Sequence, residues 1–167
     1  GGVTLLVNYG EITLYMSAAD LSAGLPQLPD TRIILLPVPG RIELAGGWKL
    51  TAEWLESLAV ERDDIHHNRD SWCAYMSLDA AAALTVRSRY PGEKMRPMGL
   101  GGERKLKEIM IDRKIPAHAR ARWPIVATND YAIWVVGHLI DQRAAVADGA
   151  SRLLRLRCLP PTGLDAS

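Results

Sequence analysis

The positive charge of this chain is concentrated in one stretch. Residues 87–122 carry eleven Lys and Arg against four Asp and Glu, a net of +7, whereas residues 1–80 carry five against eleven, a net of −6. Residues 123–167 hold four of each, so the overall charge of +1 conceals a basic block beside an acidic one. Such a block either solubilises a wet face or binds a polyanion. Leu84 to Arg89 alternates as a strand does, placing Leu84 and Val86 on one face and Arg87 and Arg89 on the other, open one. Tyr90-Pro91-Gly92 breaks that strand, and Lys94 and Arg96 follow it. Gly99-Leu100-Gly101-Gly102 then leads into a helix expected over Glu103 to Arg113. A helix start lined by Gly101 and Gly102, with Arg104, Lys105 and Lys107 beside it, would offer free amides and the positive end of the helix dipole to one phosphate of a nucleic-acid backbone. Lys114 and Arg120 extend the block. One contiguous phosphate-binding patch centred on Gly101-Gly102 is therefore expected. Arg87, Arg89 and Arg104 should outweigh the lysines there, because a guanidinium binds phosphate through two parallel hydrogen bonds.

Other constellations are weaker. The glycine run lacks the spacing of a nucleotide phosphate loop and of the dinucleotide fingerprint. Asp63, Asp64, His66, His67 and Asp70 cluster within eight residues, but they sit in a polar stretch without the helical His spacing that a metal centre favours. Ser71 with His66 and Asp63 lacks a nucleophile-elbow pattern, which argues against a small hydrolase. Cys73 and Cys158 stand far apart, so neither a disulfide framework nor a zinc site is expected, and a reducing cytoplasm is the default setting.

The elements that must position the basic groups read as follows. Val3 to Asn8 and Glu11 to Met16 form two strands around a Tyr9-Gly10 turn, and Ser17 to Asp30 forms a loop. Arg32 to Leu36 is a strand, followed by a Pro39-Gly40 turn. Arg41 to Leu44 and Trp48 to Leu55 flank Gly46-Gly47, with Trp48, Leu50, Ala52 and Trp54 on one face. Glu56 to Ser71 is loop, and Asp79 is expected to cap a short helix through Ala83. Leu106, Ile109 and Met110 form the apolar stripe of the main helix. Pro116 opens a second short helix ending near Arg122. Pro124 to Thr128 and Tyr131 to Val136 make a hairpin around Asn129-Asp130. Leu153 to Leu159 alternates, with Arg155 and Arg157 outward, and residues 160–167 form a frayed tail. The expected fold class is α+β: short antiparallel strands in a sheet or sandwich with one or two short helices. Segments 1–78 and 79–159 would be a lead-in and the main domain.

The chain has 167 residues, 48% of them hydrophobic and 23% charged, as in an ordinary single globular domain. Its longest apolar stretch, Tyr131 to Ile140, is about half the ~20 residues needed to span a bilayer, and no signal peptide is expected at Gly1.

Taken together, the stretch from Leu84 to Arg143 resembles the C-terminal domain of bacterial tRNA(Ile)-lysidine synthetases. The resemblance rests on Arg87, Arg89, Gly92-Glu93-Lys94, Pro97 and Gly99, then Lys105-Leu106-Lys107, Ile111-Asp112 and Lys114-Ile115-Pro116. Arg120, Pro124, Trp134 and Gly137 complete it, in order and spacing, over about sixty residues. Glu93 stands where the family usually has Asp, and His138 where Arg is expected. The resemblance implies a C-terminal fragment of an enzyme that adenylates the wobble cytidine of isoleucine tRNA with ATP and joins lysine to it. The Ser-Gly-Gly-x-Asp-Ser pyrophosphate loop of that chemistry belongs to an N-terminal catalytic domain and does not occur in these residues. No cofactor is therefore expected in this chain, ATP belonging to the parent. The implied partners are isoleucine tRNA, toward its acceptor stem, and the parent's own catalytic domain, with no membrane. The implied fold is one shared with a β-rich domain of the phenylalanyl-tRNA synthetase β chain. With that role, the basic block read from charge supplies the expected tRNA-binding residues: Arg87, Arg89, Lys94, Arg96, Gly101, Gly102, Arg104, Lys105, Lys107, Lys114 and Arg120. A domain-docking module that binds no RNA is the competing reading.

Overall fold

The computed structural model describes residues 4–8 and 11–15 by their backbone, and residues 24–57, 60, 65 and 68–162 in full. The Tyr9-Gly10 turn and the Asp63, Asp64, His66 and His67 cluster lie outside the described residues. Strands β1 (Thr4–Asn8) and β2 (Glu11–Tyr15) pair antiparallel, with Asn8 opposite Glu11, as a two-residue connection requires.

The remaining strands build a two-sheet sandwich and a separate ribbon, all from antiparallel pairs. In chain order they are β3 (Ile34–Leu36), β4 (Gly40–Glu43), β5 (Lys49–Glu56), β6 (Cys73–Met76), β7 (Leu84–Arg87), β8 (Lys94–Met95) and β9 (Arg104–Lys105). They continue through β10 (Ile125–Ala127), β11 (Ala132–Val135), β12 (Leu139–Ile140) and β13 (Arg152–Leu159). The first sheet has the order β12-β11-β10-β7-β3 and the second β4-β5-β13-β6. Because both sheets draw strands from either side of residue 78, the two expected segments share one core. Alternation decides which side chains enter it. Leu36, Leu84, Val86, Val126 and Trp134 from the first sheet meet Leu50, Ala52, Ala74, Met76, Leu154 and Leu156 from the second.

The opposite face of the first sheet is covered as well. Ile125 and Val135 are paired in register and point away from the second sheet, into a separate cluster with Met95, Leu106, Ile109, Met110, Ile115 and Trp123. That cluster is capped by helix α1 (Leu106–Asp112), the β8–β9 ribbon and a 3-10 helix (Ala117–Arg122). Helix α1 buries the expected stripe of Leu106, Ile109 and Met110. It ends in a Schellman turn, the amide of Ile115 donating to Met110 and that of Lys114 to Ile111. Lys114 takes the left-handed conformation this turn requires, with φ 56°.

The structure corrects three expectations. Residues 79–83 form a turn rather than a helix. The Asp79 carboxylate accepts from the Ala81 amide, and the Asp79 carbonyl accepts from that of Ala82. Strand β7 begins at Leu84, so no room remains for a second helical turn, and a lone turn cannot meet the cost of helix nucleation. Cys73–Met76, unassigned from sequence, is an edge strand paired to β13. Helix α1 begins at Leu106, because Arg104 and Lys105 are extended and paired to β8.

Ile109 is 1% exposed. Ile109→Ala is expected to destabilise the domain by about 2–5 kcal/mol in denaturant unfolding. A loss below about 0.5 kcal/mol would contradict the packing of α1 against the first sheet.

Candidate nucleic-acid interface

The structure divides the basic block into buried and open groups. Ile125 pairs with Arg87 across β10 and β7, so Arg87 lies on the face that α1 and the ribbon cover. It is 6% exposed rather than on an open face. Its guanidinium donates to both carboxylate oxygens of Glu93, at 3.0 and 2.6 Å, and stacks 3.9 Å over the Tyr90 ring. Tyr90-Pro91-Gly92-Glu93 is a tight turn closed by the Glu93 amide on the Tyr90 carbonyl. Gly92, with φ 73°, supplies the positive φ such a turn needs at its third position.

Several other arginines are engaged as well. Arg96 pairs with Glu103 and Arg104 with Asp112. Arg120 donates through Nε to the Ile115 carbonyl at 2.8 Å, bracing the turn after α1. Arg89 is half-buried, and its Nε is buried without a hydrogen-bond partner among the described residues. Three of the four acids in the block are thus committed to arginines, while Glu108 stands exposed in the first turn of α1.

What remains open is a set of lysines. In the β8–β9 ribbon Lys94 is directly opposite Lys105, and Met95 opposite Arg104. Met95 points inward, fully buried, so Lys94 and Lys105 both point to solvent. Like charges facing each other across a strand pair repel. Among the described residues neither lysine has an ion pair, and neither does the exposed Lys107. A bridging anion would relieve that repulsion. The ribbon is fixed from beneath by Met95 and by the α1 amide of Leu106, which donates to the Glu93 carbonyl at 2.9 Å.

That bond also removes the expected helix-terminal phosphate site. Gly101 and Gly102 lie in the loop of the ribbon, exposed, with φ 65° and 70°, and the helix starts only at Leu106. The structure therefore brings Lys94, Arg96, Arg104, Lys105 and Lys107 together at the ribbon. Lys114 sits beyond the far end of α1, about 10 Å away by helix length, and Arg120 in the 3-10 helix that follows.

A residue that sequence reading missed holds this loop. Asp141 is fully buried, and its carboxylate accepts from the amides of Arg96 and Arg143 and from the Arg143 guanidinium. Burial alone would raise its pKa, but the Arg143 guanidinium and the two amides hold the carboxyl below its ordinary range. Its signal in the sequence was a lone acid closing an apolar run. Gly137 of the sequence pattern has φ 77°, and a Cβ there would fall 2.5 Å from the Trp72 ring. His138 packs on Trp123 at a ring separation of 5.3 Å, and burial pushes its pKa down to about 4. Among the described residues no group of His, Cys, Asp and Glu could hold a metal, and no helix is long and apolar enough to cross a membrane.

A layered antiparallel domain of this kind, with one short helix and a lysine-bearing ribbon on its described surface, belongs to the class of small β-rich α+β modules. Comparison with known proteins makes that class specific. A family model described as the TilS substrate C-terminal domain matches residues 84–158. A tRNA(Ile)-lysidine synthase of Oceanobacillus iheyensis is 37% identical over 133 residues, covering 78% of this chain and 26% of that protein. One from Symbiobacterium thermophilum is 29% identical over 160 residues, covering 93% of this chain and 31% of that protein. A solved structure described as a TILS C-terminal domain superposes with a TM-score of 0.62 at 31% identity, covering 77% of this chain and 96% of that one. The chain belongs to the C-terminal domain family of the tRNA(Ile)-lysidine synthases. It spans about a quarter of the length of the curated relatives it matches.

His138 generates a pH prediction. Its folded pKa of about 4 lies below the ordinary 6.5, so the unfolded chain binds the proton more tightly. The stability tied to a neutral His138 is complete above pH 6.5 and is lost as pH falls toward 4. His138→Gln is expected to flatten the fall in melting temperature across that window. An acid limb as steep as in the parent domain would show that His138 does not carry it.

Proposed function

We propose that this chain is the tRNA-recognition portion, on the acceptor-stem side, of an ATP-dependent tRNA(Ile)-lysidine synthase that converts the wobble cytidine of isoleucine tRNA to lysidine. The observation that carries the reading is the ribbon lysine pair, Lys94 opposite Lys105 without a counter-ion among the described residues, in a chain whose relatives are named for that tRNA. An acceptor stem is an A-form duplex. Its deep major groove shuts out side chains, so recognition falls on phosphates, 2′-hydroxyls and shape. That chemistry calls for a rigid row of cations rather than stacking aromatics. The tryptophans accord with it, since Trp48, Trp123 and Trp134 are buried in the cores. In this reading ATP is bound and lysine is joined in the parent's N-terminal catalytic domain, this chain's other partner. The enzyme works in the cytoplasm, and this portion supplies affinity and register.

The lysines carry the larger share of that work in this reading. Lys94, Lys105 and Lys107 are the contacts, while Arg87, Arg96 and Arg104 hold the surface in shape. Domain docking through an apolar surface is the competing reading, and ionic strength separates the two. In the full-length synthase, the double variant Lys94→Ala/Lys105→Ala is expected to weaken tRNA binding. Its plot of log affinity against log salt should flatten by roughly 0.7–0.9 per lost phosphate contact. Its unfolding temperature should hold, since both side chains are exposed. Wild-type affinity with an unchanged slope would refute the assignment.

Catalysis provides a second check. The 167-residue chain alone is expected to show neither ATP–pyrophosphate exchange nor lysidine formation. Lysidine made by the purified chain would overturn the division of labour.

A further inference from the structure

A cleft opens where the sandwich has its free edges, between β6 at the end of the second sheet and β12 at the end of the first. Its volume is about 390 Å³, within the roughly 300–1,000 Å³ of typical small-ligand sites. Met98, Trp134, Ile140 and Val146 give it an apolar wall, and Asn68, Asp70, Ser71 and His138 add polar edges. Held neutral near pH 7, the His138 imidazole has one donor and one acceptor nitrogen.

The cleft runs past Cys73 and Tyr75, which point outward from β6, into a second concavity lined by Arg69, Arg155 and Arg157. Arg155 is braced by Glu53, at 2.9 Å from its Nε, and by the Tyr75 hydroxyl. Arg69 and the exposed Arg157 have no ion pair among the described residues. Asp70 also lines this concavity, but one of its carboxylate oxygens is occupied by the Trp72 amide. Three guanidiniums thus outnumber the acids around one hollow.

On the opposite rim the cleft meets the loop between β8 and β9 through Met98. Met98 sits in the loop that joins β8 to β9, and its amide donates to the Ile140 carbonyl at 3.0 Å. An apolar slot therefore opens on one side into a hollow lined by arginines. Residues two apart on one strand face, such as Arg155 and Arg157, repeat every ~6.7 Å, on the order of the separation between successive phosphates of a polynucleotide. A base in a duplex cannot enter such a slot, whereas an unpaired one can be splayed in and packed on apolar side chains.

We propose that the cleft receives the base of an unpaired RNA nucleotide, from the 3′ end that continues beyond an acceptor stem, with its phosphate on Arg69, Arg155 and Arg157. The inference rests on the tRNA reading above and extends it from phosphate contact to capture of a single-stranded end. It assigns β13 arginines that the sequence pattern left without a role.

The test uses the full-length synthase with isoleucine tRNA, the same tRNA lacking its unpaired 3′ nucleotides, and AMP. Two exposed positions are altered: Arg157→Glu reverses the charge of the hollow, and Ser71→Trp fills the slot. Each variant is expected to bind intact tRNA roughly tenfold more weakly, the scale of one stacked base or one phosphate contact. Each should bind the shortened tRNA as the wild type does. Wild-type affinity of both variants for intact tRNA overturns the proposal, as does an equal loss with shortened tRNA. AMP binding in equilibrium dialysis that Ser71→Trp abolishes, with tRNA affinity unchanged, would assign the cleft to a free nucleotide and overturn the RNA assignment. The Lys94→Ala/Lys105→Ala variant, which should bind both tRNAs weakly, separates the two readings. If it loses affinity while the cleft variants do not, only the cleft inference falls.

Discussion

The basic layer of this domain depends on one buried ion pair. Arg87 leaves β7 on the face that the third layer covers, and Glu93 meets it after the Tyr90-Pro91-Gly92 turn, with the pair's side chains 8% and 11% exposed. Glu93 serves several partners at once. Its carboxylate takes the Arg87 fork and the Tyr90 amide, and its carbonyl takes the first amide of α1. The turn, the strand end and the helix start are therefore fixed relative to one another by one side chain and its own backbone. Removing either charge would leave the other buried and unpaired, which typically costs about 3–5 kcal/mol. The same length of chain could be tethered by apolar packing alone. A forked, directional contact adds registry between three elements that apolar contacts would let slide.

Much of the fold was legible because its strands are short and their faces differ. Leu50, Ala52 and Trp48 alternate with polar neighbours, and all three are buried. The Asn129-Asp130 hairpin follows from its turn chemistry, with Thr128 and Tyr131 closing it. The helix stripe of Leu106, Ile109 and Met110 was readable from its spacing. Cys73–Met76 was not, because a four-residue edge strand has too short a pattern, and it is specified by pairing to β13 rather than by its own sequence. The start of α1 was misplaced for a related reason. Arg104 and Lys105 are good helix formers, but pairing with Lys94 and Met95 holds them extended.

The basic block was legible as a region, but which of its side chains are open to solvent was not. Charge counting located the block, since it needs no geometry. Assigning Arg87 to an open face failed because alternation tells which residues share a face and not what lies over that face. Here a third layer lies over it, and only long-range packing through Ile125 and Val135 reveals the cover. The acids inside the block were equally opaque. Glu93, Glu103 and Asp112 neutralise arginines six to eight residues away, pairings that depend on a turn, a ribbon loop and a helix. Sequence distance alone could not distinguish these arginines from the lysines between them.

That division follows from the two side chains' chemistry. A guanidinium is planar, weakly hydrated and forked, so it can be withdrawn from water against a carboxylate while keeping its donors satisfied. An ammonium is compact and strongly hydrated, so withdrawing it would be costly, and it stays at the surface on a flexible stem. Keeping a thin third layer in register here places Arg87 inside the layer, while Lys94 and Lys105 stay outside it. Arg87 and Lys94 show both halves of the rule within one turn of chain. Arg87 is sealed against Glu93, while Lys94, the next residue along, projects from the opposite side of the ribbon into water. The glycine of the intervening turn and the glutamate after it set the direction of each, so the charge pattern at the surface is a consequence of the backbone beneath it.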